Sequence, residues 1–244
     1  MAEASGLSRR DFFRLGLVAG PAAMVAACGW DGGGALRPKL SAMSRVNDWV
    51  GEHVLLSSSR LARTYPESAR SSTMPNYHVA DSTPMLASPA SWGLNVGGLV
   101  RKPMRLTLEQ LQALPRTSYT VKHQCVEGWT TIASWAGVPL TAIAALVEPT
   151  DRARYVRFDS FDRDPQGTLY SNGWDLKSAM HPQTILAYGF NGQPIMPDHG
   201  APLRLYSPIK LGYKLTKYLT AVTFTADRPG GYWEDQGYPW LGGL

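Results

Sequence analysis

Glycine and proline recur throughout the chain and limit the length of its regular elements. The 244 residues include 24 Gly and 18 Pro. Both residues favour turns, and proline ends helices because it lacks an amide hydrogen. Apolar residues make up 44% of the sequence and charged residues 18%, as in a folded globular chain. We therefore expect a single α+β domain dominated by β-structure, with one full hydrophobic core.

Short-range signals locate several elements of this fold. Thr107 and Gln110 form a T-x-x-Q capping box that predicts a helix of about two turns. Residues 119–123 have the pattern of a strand that leads to Cys125. Asn-Gly at 191–192, between two apolar runs, predicts a type I′ hairpin. Further strands are predicted at 91–96, 155–159, 186–190, 193–195, 203–206 and 219–225, and further helices at 44–55 and 141–147.

The N-terminal segment predicts export. Arg9 and Arg10, followed by Asp-Phe-Phe, resemble a twin-arginine motif, and the apolar run at 15–27 is too short to span a bilayer. The run ends in Val-Ala-Ala-Cys, which resembles a lipobox with Cys28 as the lipidated residue; plain signal-peptide cleavage is the alternative. We expect the twin-arginine translocon as a partner and the periplasm or cell envelope as the destination.

This interpretation divides the chain into three parts. Residues 1–28 are the predicted signal peptide, and residues 29–75 are a predicted tether with an N-terminal helix and an irregular segment. Residues 76–244 are the predicted functional domain. Within residues 57–75, the frequent Ser, Arg and Pro predict irregular chain that wraps the surface of the domain.

Cys125 is the only cysteine that remains once the export segment is set aside. Without a partner for a disulfide, it is buried and inert, reactive, or bound to a metal. His123, Lys122 and Glu127 give it unusually polar neighbours for an inert core cysteine. By strand alternation His123 shares the face of Cys125, where it either tunes the sulfur or is a satisfied core histidine.

The positive charge of the chain is scattered, with one exception. The net charge is +5 and no run of Lys and Arg is of the nucleic-acid-binding type, so we expect no nucleic-acid partner. Between residues 197 and 214, however, four basic side chains lie among glycines and prolines: His199, Arg204, Lys210 and Lys214. Cations near exposed backbone amides can bind a phosphate or similar anion. Ordinary solvated charge is the alternative.

Five motifs occur in an order that resembles the sulfite oxidase-like molybdopterin-dependent oxidoreductases. They are N-Y-H at 76–78, K-H-Q-C-V-E-G-W at 122–129, A-M-H-P at 179–182, P-D-H-G-A-P-L-R at 197–204 and G-Y-W-E-D-Q-G-Y at 231–238. The resemblance runs from about residue 76 to the C-terminus. C-V-E-G-W is similar to the motif of the methionine-sulfoxide reductase branch, and it replaces the arginine-containing motif of true sulfite oxidases.

The resemblance implies the sulfite oxidase-like fold and a molybdenum–molybdopterin cofactor. Cys125 would be the protein thiolate on molybdenum, a soft ligand suited to this centre. Tyr77 and Glu127 would act beside the metal, Glu127 by exchanging a proton, although a structural salt bridge is the alternative for Glu127. The implied cofactor contacts are Asn76, Tyr77, His78, Cys125, Ser160, His199, Arg204, Lys210, Gly212, Tyr213 and Lys214.

Two of these positions depart from the methionine-sulfoxide reductase branch. That branch has Asn where this chain has His199, and Thr where it has Ser160. Both changes keep a hydrogen-bonding group. The resemblance therefore supports cofactor binding more strongly than the identity of the substrate.

The expected reaction is two-electron reduction of an S- or N-oxide carried by a small molecule or a peptide. Electrons would come from an external donor such as a membrane haem protein, because the chain has no C-x-x-C-H haem motif. Oxidation of sulfite or another small anion is the alternative reaction. A cysteine hydrolase and a non-catalytic lipoprotein binding module are alternatives from other classes. We expect a monomer without the C-terminal dimerisation domain of sulfite oxidases.

Overall fold

The computed structural model describes residue 46 and residues 48–50, 60–86 and 88–243. By compactness the chain divides into Met1–Val46 and Asn47–Leu244, and the fold described here belongs to the second unit. Residues 48–50 are helical, whereas the export segment and the rest of the helix predicted at 44–55 lie almost entirely outside the described residues. No helix within the described ranges is long and apolar enough to cross a membrane.

The described part of the chain forms two sheets, and the first contains five strands in the order β2-β1-β10-β5-β6. Its strands are β1 (Leu94–Gly98), β2 (Met104–Leu106), β5 (Tyr155–Arg163), β6 (Leu169–Asp175) and β10 (Leu219–Thr225). β1 pairs with β10 in parallel, and the other pairs are antiparallel. Burial alternates along β5, so Ser160 and Asp162 face inward with Phe158. β5 is longer than the strand predicted at 155–159.

The second sheet has the order β3-β4-β7-β8, with β9 paired to β7. Its strands are β3 (Thr117–Gln124), β4 (Thr130–Pro139), β7 (Ile185–Phe190), β8 (Gln193–Pro194) and β9 (Arg204–Tyr206). β3 pairs with β4 along its full length, down to Gln124 opposite Thr130. The turn at 125–129 therefore projects from one end of this sheet. Asn191 and Gly192 have φ of 50° and 84°, which confirms the predicted hairpin turn.

Among the described residues, three short α-helices connect the strands: α1 (Leu108–Gln112), α2 (Leu140–Val147) and α3 (Leu176–Ala179). The capping box of α1 is confirmed, because Gln110 N donates to Thr107 Oγ1 at 3.2 Å and Thr107 N donates to Gln110 Oε1 at 2.9 Å. α2 ends where Glu148 takes a left-handed φ of 53°. Single 3-10 turns lie at Glu67–Ala69, Pro89–Ser91, Pro197–His199 and Gly212–Lys214.

The hydrophobic core includes side chains from both sheets, among them the fully buried Trp135 of β4 and Phe158 of β5. Outside it, the residues from 60 to 75 cross the second sheet as mostly irregular chain, as their composition predicts. Thr64 bridges to Val121, and Ser71 N donates to Ile132 O at 2.9 Å. The α+β fold dominated by β-structure that the sequence predicts is confirmed.

Candidate active site

A cavity of about 370 Å³ collects most of the residues that the sequence singles out. Its walls come from the segment before β1, the turn after β3, the inner ends of β5 and β6, and the loops around β9 and near the C-terminus. Nine predicted site residues line it: Asn76, Tyr77, His78, Cys125, Glu127, His199, Arg204, Gly212 and Tyr213. Ser160, Lys210 and Lys214 do not belong to its lining.

Cys125 lies directly after β3, in the turn that joins this strand to β4. Its amide N donates to Trp129 O at 3.0 Å, and Gly128 N donates back to Cys125 O at 3.1 Å. Gly128 has a φ of 90°, in the region that favours glycine. Cys125 is a free, half-buried thiol, and burial raises its pKa. A bound metal would reverse that effect, because metal binding removes the proton from a thiol.

Glu127 and two aromatic side chains form one side of the cavity mouth. Trp129 Nε1 donates to Glu127 Oε2 at 3.0 Å, and the same oxygen lies 3.9 Å from Cys125 Sγ. Tyr77 stacks on Trp129 with ring centroids 6.3 Å apart, and 58% of its surface is exposed. Hydrogen bonding to Glu127 and the charge of that carboxylate raise the pKa of Tyr77. A carboxylate and a phenol thus stand close to the thiol.

His123 is buried beneath this mouth. Its ring stacks between Trp129 and Tyr206, at centroid distances of 5.5 and 6.0 Å. Burial and the nearby Arg204 lower the pKa of His123 to about 3, so the ring is neutral. Its Nδ1 has no hydrogen-bond partner among the described residues. A Cβ added to Gly212 would lie 3.1 Å from His123 Nε2, so a glycine lets this loop approach the ring.

Arg204 is a buried cation on the cavity wall. It is 3% exposed, and its Nη1 donates to His199 O at 2.9 Å. The guanidinium lies 4.7 Å from the ring centroid of Trp135. Burial lowers the pKa of Arg204 to about 10. No ion pair within 4.0 Å involves Arg204 in the part of the chain that the structure describes.

Lys217 adds a second, half-buried cation to the same wall. Its Nζ donates to the backbone oxygen of Asp198 at 2.9 Å, and no ion pair is found for it within the described residues. Burial and the charge of Arg204 lower the pKa of Lys217 to about 7. Because burying charge without a counterion is unfavourable, an anion bound here would stabilise both cations. The wall therefore fits an anionic ligand.

The predicted anion ligands Lys210 and Lys214 lie outside the cavity and already have carboxylate partners. Lys210 Nζ is 3.4 Å from Asp175 Oδ2, and Lys214 forms an ion pair with Glu234. Both lysine side chains are 0% exposed. These ion pairs fix the two ends of the loop that brings Gly212 to the cavity. Contact of either lysine with an anion stays a prediction.

Ser160 also lies behind the cavity wall. It is 2% exposed, its Oγ donates to Lys217 O at 2.7 Å, and the same oxygen accepts from Asp162 N at 3.0 Å. His181 contacts backbone on both sides of its ring, since its Nδ1 accepts from Gln183 N at 3.1 Å and its Nε2 lies 3.1 Å from Arg60 O.

Sequence reasoning missed several lining residues, namely Asp162, Tyr170, Lys217, Trp233 and Tyr238. Two signals could have found three of them. Lys217 lies three positions beyond Lys214, just past the basic stretch at residues 197–214. Trp233 and Tyr238 belong to the last of the five motifs, from which no site residue was drawn. Asp162 and Tyr170 carry no comparable local signal.

Within the described residues, no three His, Cys, Asp or Glu side chains are grouped so that they could hold a metal ion.

Comparison with known proteins gives a matching family model, similar relatives and a solved structure. The family model described as the oxidoreductase molybdopterin binding domain matches residues 80–233. The chain is 38% identical to a candidate protein-methionine-sulfoxide reductase subunit, YedZ1, of Azospira oryzae, over 97% of this chain and 88% of that protein. It is 30% identical to the protein-methionine-sulfoxide reductase catalytic subunit MsrP of Campylobacter jejuni, over 93% and 76% of the two chains.

A solved structure shows the same fold. The sulfane dehydrogenase SoxCD from Paracoccus pantotrophus superposes with a TM-score of 0.52 at 22% sequence identity. The match covers 59% of this chain and 40% of that one.

Proposed function

The chain belongs to the oxidoreductase molybdopterin-binding family, and from this premise we propose that it is an exported enzyme that reduces an S- or N-oxide at a molybdenum–molybdopterin cofactor. Membership of this family favours an oxidoreductase over a cysteine hydrolase or a non-catalytic module. The names of its relatives describe reduction of methionine sulfoxide in proteins, which supports an S-oxide as the substrate.

One observation carries the proposal: a thiol and two cations, neither with a carboxylate partner among the described residues, line the same cavity. Cys125 would bind molybdenum as a thiolate. Arg204 would bind the cofactor's phosphate through its fork of N–H donors, and Lys217 would add a point charge. The unpartnered Nδ1 of His123 and the close approach of Gly212 fit a flat heterocycle that carries hydrogen-bonding groups.

When bound, the cofactor would supply two-electron oxygen-atom transfer, with two protons taken up as the substrate oxygen leaves as water. Glu127 would hold or pass a proton at Oε2, the oxygen that Trp129 Nε1 orients near Cys125. Tyr77 would offer its hydroxyl at the exposed mouth. Trp233 and Tyr238 add ring surface, and sulfur groups pack favourably on aromatic rings.

The proposal includes export and an electron partner. Residues 1–28 would direct the folded protein through the twin-arginine translocon, with a lipid on Cys28 as an additional anchor. Residues 76–244 would form the functional unit, which contains the range matched by the family model. The word subunit in the relatives' names supports an external electron donor, such as a membrane haem protein.

Export can be tested in the producing cell. Replacing Arg9 and Arg10 by lysine should leave the protein inside the cell, because the twin-arginine pair is the signal that the translocon recognises. Fractionation followed by immunoblotting would measure this. Unchanged export of the double variant would instead favour an ordinary secretory signal.

Metal analysis combined with a dye-coupled assay tests the reaction. Purified protein should contain stoichiometric molybdenum by mass spectrometry. With a reduced dye as electron donor, it should turn over methionine sulfoxide or trimethylamine N-oxide. Full activity toward an ester or peptide without molybdenum would overturn the cofactor assignment. Oxidation of sulfite as the sole reaction would overturn the reductase assignment.

A further inference from the structure

The segment that carries Asn76, Tyr77 and His78 has no regular structure of its own. None of residues 76–80 belongs to a helix or strand. All three side chains nevertheless line the cavity. Ordering irregular backbone costs conformational entropy, so contacts from elsewhere in the fold must hold this segment in position.

Asp162, near the end of β5, supplies such contacts. Its Oδ2 accepts from Val79 N at 2.9 Å, and its Oδ1 accepts from Ala80 N at 3.0 Å. Asp162 is 4% exposed, and each of its carboxylate oxygens binds one backbone amide of the segment. Hydrogen bonds to a charged acceptor are stronger than those between neutral groups. The histidine of the segment is tied to the same backbone, since His78 Nδ1 lies 2.7 Å from Ala80 O.

The same strand also holds the opposite cavity wall. Ser160, two residues before Asp162 on the inner face of β5, donates to Lys217 O at 2.7 Å. Its hydroxyl oxygen accepts from Asp162 N at 3.0 Å. The inner face of β5 is therefore bonded to the segment that carries Asn76–His78 on one side and to Lys217 on the other.

We propose that Asp162 is a positioning residue that holds the irregular Asn76–His78 segment against the cavity and fixes its distance from Lys217. The anchoring follows from the contacts of Asp162 alone. The expected effect of this anchoring on cofactor retention rests on the proposed function. Asp162 does not need to touch the cofactor or the substrate to act in this way.

Backbone hydrogen exchange tests the anchor directly. In wild-type protein the amides of Val79 and Ala80 should exchange slowly, and fast exchange at both would overturn the proposal. In Asp162→Ala their exchange should accelerate by about ten-fold or more, because two charge-assisted bonds are lost. Amide hydrogen exchange in peptides from β3 and β4 should be the same as in wild-type protein. Unchanged exchange at Val79 and Ala80 in folded Asp162→Ala would also overturn it.

A matched control and a milder variant complete this test. Asp159 lies on the same strand, and its carboxylate pairs with Arg157 Nε at 2.7 Å. Asp159→Ala should therefore leave exchange at Val79 and Ala80 unchanged, and an effect equal to that of Asp162→Ala would count against a specific anchor. Asp162→Asn keeps the shape but turns an amide donor toward one of the two N–H groups. It carries the test if Asp162→Ala does not fold.

Cofactor retention separates this inference from the proposed function. Asp162→Asn and Asp159→Asn would be compared under conditions in which the two variants unfold at the same urea concentration. Asp162→Asn should then lose molybdenum on dialysis faster than Asp159→Asn does. A purely structural role of Asp162 would change the midpoint of urea unfolding but not the retention of molybdenum. If wild-type protein contains no molybdenum while the exchange results hold, the proposed function fails and the anchor stands. If molybdenum is present and exchange is unaffected, the anchor fails alone.

Discussion

Cys125 is the residue on which the proposed chemistry depends most directly. We expect Cys125→Ser to lose activity by more than about 100-fold, since losing groups that merely support a metal ligand already costs roughly 10–100-fold. The fold should persist, because the thiol is half-buried and forms no disulfide. Thermal unfolding and the dye-coupled assay would measure the two effects. Retained activity in the folded variant would refute the thiolate role.

Lys217 should make anion binding depend on pH. Burial and Arg204 lower its pKa to about 7, so above that value the amine is neutral in the free protein and must take up a proton when an anion binds. The affinity for the anion is therefore highest below pH 7 and falls as the pH rises above 7, by up to about ten-fold per pH unit. Sulfate, which stays doubly ionised over this range, is a suitable probe of cofactor-free protein.

Calorimetric titration with sulfate between pH 6 and 9 would measure this dependence. Lys217→Met should weaken binding at pH 6 and abolish the pH dependence above 7. The matched control is Lys122→Met, which removes an exposed lysine of β3. Affinity that does not change with pH in the wild type would contradict a role for Lys217. His199 should not interfere, since burial and Arg204 lower its pKa to about 4.

At the scale of the element, the turn from β3 to β4 determines how the thiol is presented. Gly128→Ala should destabilise this turn by about 1–2 kcal/mol, because a left-handed φ is unfavourable for a residue with a Cβ. The added Cβ has no atom within 4 Å, so the effect is one of backbone strain. Activity should fall by about ten-fold or more, since small displacements of reacting groups are costly.

Gly167→Ala is the matched control for this turn. Gly167 has a φ of 91° in the turn between β5 and β6, and its nearest added contact is Arg163 Nη1 at 3.9 Å. It should lose similar stability in urea unfolding without losing activity. Equal losses of activity in the two variants would show that general destabilisation, and not the position of Cys125, explains the effect.

Elements with a local signal could be predicted from the sequence, and those without one could not. The capping box of α1 and the Asn-Gly turn depend on neighbouring residues, and both are confirmed. β4 was missed as a strand because six consecutive residues, Ala133–Val138, are buried. A strand buried on both faces loses the alternation by which strands are recognised.

At the scale of the whole molecule, sequence order could not show which basic residues face the cavity. The sequence predicts a stretch rich in cations at residues 197–214, but Lys210 and Lys214 pair with carboxylates 35 and 20 positions away. Such pairings depend on the packing of β6 and the C-terminal segment, which no local pattern encodes. The parallel pairing of β1 with β10 is similarly non-local.

This division between lysines predicts unequal effects on the stability of the whole molecule. In cofactor-free protein, Lys214→Met should lower the free energy of unfolding by about 3–5 kcal/mol, because Glu234 is left buried without its partner. Lys217→Met should change it by about 1 kcal/mol or less, since losing the bond to Asp198 O is offset by removing a buried charge that has no carboxylate partner among the described residues. Adding Glu234→Gln to Lys214→Met should restore part of the loss. Urea unfolding would measure all three variants, and equal destabilisation by the two single changes would mean that Lys217, like Lys214, serves the fold and not a ligand.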